Sequence, residues 1–217
     1  MPPSTNAPAI LAAVRDQFPR EPLTLTADIK VRRTRGAIIR SCVARIAFDL
    51  GNDTPTATYT LLDAFATPLE QLTLKRPTGQ PLQMIYATGK ELTNAPLPDL
   101  AAPIQQSDLS WTDLTLSFLW WDGATYAGED TFRGETCDVL EIAAPAGEAA
   151  AYARVRVWIH QRLHMILQAE GYNADGDRVR RLSIKSFKKI RGRWMLRDME
   201  IERFPSPHKT RLTIRDL

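Results

Sequence analysis

Three histidines, His160, His164 and His208, are the side chains best suited to proton transfer or metal binding near neutral pH. Two of them stand four apart in "HQRLH", the spacing that brings two imidazoles to one helical face in zinc hydrolases. The glutamate of that motif is missing, and the flanking residues read as strand and turn, so the pair does not share a helical face. No G-x-S-x-G, phosphate-binding loop or Gly-rich dinucleotide turn occurs. "TPTATYT" offers hydroxyls with no base nearby in sequence. "DGD" at 175–177 suggests calcium, yet the rest of a twelve-residue loop is absent and Asp-Gly reads as a tight turn. Cys42 and Cys137, about 95 residues apart, have no metal-type neighbours. They read as two buried thiols, or as a disulfide if the compartment is oxidising. These residues point to no catalysis, no metal and no cofactor.

What remains is apolar and basic chemistry. "SDLSWTDLTLSFLWWDG", residues 107–123, holds three of the five tryptophans. Ser110 with Asp113 forms a capping-box pattern, and Leu109 and Leu114 are placed to staple it. The spacing predicts a helix from Trp111 with Leu114, Phe118 and Trp121 on one face, widened by Leu116, Leu119 and Trp120. A helix apolar on most sides is buried twice over or lies across an apolar cavity. Trp111, Leu114, Phe118 and Trp121 are therefore candidate ligand contacts, with Tyr59 and Met84 as candidate wall; plain core is the other reading. Met165, Met195 and Met199 would add adaptable lining. The run "RVRRLSIKSFKKIRGRW", residues 178–194, alternates charge with Val179, Leu182, Ile184 and Phe187. It reads as the solvated face of a strand. Its sharper reading is a strip for anionic lipid headgroups, at about 1 kcal/mol per charge, with Arg180, Lys185 and Lys188 as contacts. A net charge of only +3 and sparse aromatic interleaving do not point to nucleic acid.

These side chains need a frame, and the pattern is mostly strand. Residues 1–8 read as a disordered lead and 9–217 as a single domain. "PAILAAVRDQF" places Ile10, Leu11, Val14 and Phe18 on one helical stripe between Pro8 and Pro19. "LTLTADIKVRR" then alternates Leu23, Leu25, Ala27, Ile29 and Val31 against polar neighbours. Further alternating runs follow, separated by "GNDTP", "TPL" and "TGQP", and residues 94–106 read as a loop. After the tryptophan stretch the strands resume, through the Arg133-Gly134 turn, "YARVRVWIHQ", the "NADGD" hairpin and "TRLTIRDL". Short strands joined by tight turns predict an antiparallel meander. No run of eighteen apolar residues occurs. "MPPSTNAPAIL" lacks the basic start of a secretory signal, as an exported chain with its signal removed would.

The order "SDLSWTDL", "GEDTFRGETCDVLEI", "YARVRVWIHQRLHMILQAEGYNADGDRVRRLSIKSFKKIRGRWMLRDMEIE" and "TRLTIRDL" resembles the outer-membrane lipoprotein-sorting protein family, the LolA-like group of periplasmic proteins. The likeness covers residues 105–217 and extends more loosely over the first half. It implies a mainly β, α+β fold: a half-open antiparallel β-barrel whose N-terminal helix and short helices cover the concave face. It implies a non-catalytic periplasmic carrier holding lipid or lipoprotein acyl chains in an apolar hollow, with a membrane surface or envelope protein as further partner. The well-studied carriers have one buried arginine that governs lid closure; its counterpart among the arginines here is not assignable from sequence. The alternative is an envelope interaction protein of the same fold whose own side chains fill the hollow.

Overall fold

The period-two pattern of residues 23–33 is realised as a strand with Leu23, Leu25, Ala27, Ile29 and Val31 buried. In this computed structural model, residues 6–33, 36–145, 152–190 and 192–215 are described. The chain opens with α1 (Ala7–Arg15), capped by the Asn6 side chain on Ala9 N–H, with Pro8 in its first turn. Residues 6–8 thus cap and start a helix rather than extend a disordered lead; residues 1–5 lie outside the described residues. The first meander comprises β1 (Leu23–Arg33), β2 (Ile38–Asp49), β3 (Thr56–Leu62), β4 (Pro68–Lys75), β5 (Gln83–Thr88) and the short β6 (Thr93–Ala95). After α2 (Trp111–Thr115) the second comprises β7 (Gly123–Phe132), β8 (Glu135–Ala143), β9 (Arg154–His160), β10 (Ile166–Tyr172), β11 (Arg178–Ile190), β12 (Arg193–Arg203) and β13 (His208–Ile214).

All thirteen strands form one antiparallel sheet, ordered β6-β5-β4-β3-β2-β1-β13-β12-β11-β10-β9-β8-β7. The first and last strands are neighbours, in register from Ala27↔Ile214 to Arg33↔His208. This pairing fuses the two meanders and leaves β6 and β7 as the edges of an open sheet. The chain must therefore pass from one edge to the other between residues 96 and 122. That crossing carries the tryptophan-rich stretch over the concave side. One core cluster joins α1 and the crossing to inward residues of β1–β4 and β8–β13, so the sheet curls around them.

The opposite face is wet and charge-paired. Glu141 binds Arg154 and Arg156, Glu170 binds Arg178 and Arg181, and Asp198 binds Arg211. Cross-strand pairs of this partly exposed kind contribute about 0.2–1 kcal/mol each. They fix register more than they add stability.

The predicted long helix is broken. The capping box of Ser110 and Asp113 forms as expected, but α2 lasts five residues. Leu116 turns left-handed at φ 49°, and a 3₁₀ turn follows over Ser117–Trp120. The Leu116 N–H closes back on Thr112 and Asp113 carbonyls, ending the helix. Burial of Phe118 and Leu119 below that turn compensates the left-handed backbone.

Candidate functional site

An apolar cavity of about 150 Å³ lies between the concave face and the crossing segment. Its floor comes from Leu25, Ile46, Phe48 and Tyr59 on the first meander. Ile166, Leu182, Ile184, Met199, Leu212 and Ile214 continue it on the second. The roof is Val14 and Phe18 at the end of α1, with Leu114, Leu116 and Leu119 of the crossing. Phe187, Trp194, Met195 and His164 complete the wall, and Trp194 is 48% exposed, so the cavity meets solvent beside the β11–β12 hairpin. Side chains with polar atoms are few in the lining, namely Gln17, Tyr59, Thr115, His164 and Trp194, and the Thr115 hydroxyl is spent on the Trp111 carbonyl at 2.8 Å.

A buried polar network ties the roof to the sheet. Asp113 accepts from the Ser110 N–H at 2.8 Å and the Ser110 hydroxyl at 2.7 Å, from Arg180 Nη1 at 3.0 Å, and from the Tyr152 hydroxyl. Arg180 also donates to the carbonyls of Asp108 and Ala101. Asp108 in turn accepts from the Thr210 hydroxyl at 2.8 Å and the Ser206 hydroxyl at 3.0 Å. Arg15 of α1 reaches the Leu119 carbonyl at 2.8 Å. Burial, then the neighbouring Asp113 charge, pushes the Tyr152 phenol well above its ordinary value, so it remains a donor. Its ring lies on Gly171, where a Cβ would collide with it. Two charges held this deep are stable only because each finds its partners within the network.

The candidate residues divide. Tyr59, Leu114, Met165, Met195 and Met199 line the cavity. Trp111, Phe118, Trp121 and Met84 lie outside its lining, within the packed core or against it. Trp111 packs edge-on to Tyr86 and Phe118 to Trp121. The left-handed Leu116 takes Phe118 and Trp121 off the face that Leu114 presents, and brings Leu116 and Leu119 to the cavity instead.

Arg180 requires a correction. It was expected on the solvated strip, but it is only 7% exposed, and among the described residues it is the one buried arginine. Alternation explains this: Arg180, Leu182 and Ile184 occupy one face of β11, and that face is the concave one. Lys185 does face outward and pairs with Glu200 at 3.0 Å. Lys188, half-buried, donates to the Arg215 carbonyl at 3.3 Å.

His164 and the Asp108–Asp113–Tyr152–Arg180 network were not legible as a site in sequence. Only the Ser110/Asp113 cap hinted at the latter. Cys42 and Cys137 are free thiols, each pushed up to about 11 chiefly by burial, and so unreactive as nucleophiles near neutrality. Among the described residues no group of three His, Cys, Asp or Glu is placed to hold a metal ion, and no helix is long and apolar enough to cross a membrane.

Residues 89–217 match the model of a family described as "Uncharacterized protein". No curated protein matches the chain by sequence. Among solved structures, a DUF1329 family protein from Desulfovibrio piger is similar at a TM-score of 0.81 and 17% identity, over 100% of this chain and 92% of its own. A putative outer membrane lipoprotein-sorting protein domain from Vibrio parahaemolyticus gives 0.79 and 14%, over 97% and 90%. The LolA superfamily protein NE2245 from Nitrosomonas europaea gives 0.72 and 15%, over 98% and 93%. At these identities the likeness is one of fold.

Proposed function

The chain belongs to the family whose model spans residues 89–217 and has the fold of lipoprotein-sorting proteins, and from that premise we propose that it is a non-catalytic carrier. Its cargo is the acyl chain of a lipid or lipoprotein, and its place of work is the periplasm. The observation that supports this is an apolar cavity roofed by a segment that the sheet does not pair. The roof hangs from the two edge strands and a polar network, so it is the part of the wall able to lift.

Size sets the mechanism. A cavity of about 150 Å³ suits a guest the size of one benzene ring. A long acyl chain needs the roof raised. Each methylene removed from water contributes about 0.8 kcal/mol, so eight contribute roughly 6 kcal/mol. Against this gain stands the cost of parting the roof from the sheet, in which the buried Arg180–Asp113 pair is the one salt bridge among the described residues. Arg180 and Asp113 would thus act as the latch that an incoming chain releases. Tyr59 and Leu114 would contact the chain. The β11–β12 hairpin would meet the membrane that donates it: residues 185–197 hold six Lys or Arg and no acid, beside half-exposed Trp194.

Displacement of a fluorescent fatty acid tests the reading. Met199→Phe puts a larger side chain into the cavity wall. It is expected to weaken binding at least about tenfold while lowering stability by no more than about 1–3 kcal/mol. No binding to wild type at micromolar concentrations would favour an envelope interaction protein with a self-filled hollow.

A further inference from the structure

We propose that His164 is the polar anchor of the cavity, hydrogen-bonding the carbonyl or carboxyl oxygen at the head of a bound acyl chain; this rests on the carrier reading above. His164 lines the cavity, yet its Nδ1 is buried with no hydrogen-bond partner among the described residues. Buried polar atoms are almost always paired, and one that is not calls for a role. The other such atom, Arg181 Nε, lies 3.4 Å from the Glu170 carboxylate on the opposite face, so it has a counter-charge; His164 forms no ion pair among the described residues.

The turn does not account for the imidazole. His164 sits at φ 50°, a left-handed conformation that Gly or Asn adopts more readily. Its contribution to the turn is main-chain: its N–H donates to the His160 carbonyl at 2.9 Å. The side-chain work there is done by His160, whose Nδ1 accepts from Arg162 N–H at 3.1 Å and Leu163 N–H at 3.3 Å. A glycine at 164 would keep every one of these bonds and relieve the backbone. Its Nδ1 is therefore available to a partner that the described residues do not supply.

Its position suits a head rather than a tail. His164 is partly exposed and lines the same cavity as half-exposed Trp194, whereas the floor and roof beyond are mostly hydrocarbon, with Tyr59, Gln17 and Thr115 the polar exceptions. An amphiphile in this site keeps its chain in the apolar part and its oxygen atoms at the rim. The hairpin that carries Trp194 is cationic, which favours an acyl oxygen bearing negative charge or partial charge.

Competition binding with octanoic acid, methyl octanoate and octane tests this on the whole chain. Wild type is expected to bind the acid, the ester or both about fivefold to tenfold tighter than octane, the worth of one hydrogen bond. A preference for the acid identifies a free carboxylate as the head; equal binding of acid and ester identifies an ester carbonyl. In His164→Leu and His164→Gly the advantage over octane falls to within about twofold, while octane itself still binds. The glycine variant also guards against misfolding, since it relieves the left-handed backbone. Equal affinity of wild type for all three compounds, or a head preference surviving in the glycine variant, overturns the proposal while leaving the carrier reading intact. Failure of all three to bind wild type overturns the carrier reading itself.

Discussion

Replacing Arg180 by methionine removes the countercharge from a carboxylate that the structure buries almost completely. Asp113 is then left with donors from Ser110 and Tyr152 but no cation, and the Asp108 and Ala101 carbonyls lose a donor. Breaking one side of a buried pair costs about 3–5 kcal/mol. For a chain of this length each kcal/mol lowers Tm by roughly 2–4 °C, so Arg180→Met is expected to melt about 6–20 °C lower. The double variant Arg180→Met/Asp113→Asn removes both charges and retains an acceptor for the Ser110 cap. It should recover at least about 1 kcal/mol relative to the sum of the two singles. Denaturant unfolding of the four proteins at neutral pH gives the cycle. Because the network attaches the roof, the single variant should also take up fluorescent fatty acid faster than wild type. A loss below about 1 kcal/mol in Arg180→Met, or strict additivity in the double, would refute the reasoning that this pair is a desolvated latch.

Lys188→Gln/Lys189→Gln should weaken binding to vesicles rich in anionic lipid by about fivefold per charge, with a shallower salt dependence; unchanged cosedimentation at low salt would remove the hairpin from the membrane contact. Stability should also carry an acid-side signature from Asp198. Burial alone would raise its carboxyl, but hydrogen bonds from Ser186, Thr213 and Arg211 outweigh this and hold it below the usual 3.8. With the folded value below the unfolded one, its contribution is full above about pH 4 and is lost as pH falls through the lowered value. The stability gap between wild type and Asp198→Asn should therefore narrow below that pH, and a gap constant down to about pH 2.5 would contradict it.

Much of the frame is legible because it is local. The alternation of residues 23–33 sets which face of β1 is buried with no knowledge of its neighbours. The Ser110/Asp113 cap is equally local, since its hydrogen bonds span three residues. The pairing of β1 with β13 is not: it joins the two ends of the chain, and nothing in either strand names the other. Yet that pairing decides where the edges fall and so why the tryptophan segment becomes a roof. Leu116 defeats helical spacing for a related reason. Its left-handed turn is stabilised by what Phe118 and Leu119 bury, a tertiary gain that propensity does not contain. Arg180 escapes sequence reasoning because a charged residue in an alternating strand is ordinarily solvated, and only the presence of Asp113 across the hollow makes the inward face tenable. His164 carried no signal beyond being a histidine next to a turn.

Whether the hollow accepts an acyl chain is read from what the purified protein carries. Native mass spectrometry of the protein purified from a lipid-containing host, with solvent extraction of the same sample, tests it directly. A population carrying the added mass of one acyl-bearing lipid is expected, diminished in Met199→Phe. Wild-type protein found only at the mass of its bare chain, with no acyl species in the extract, would contradict it.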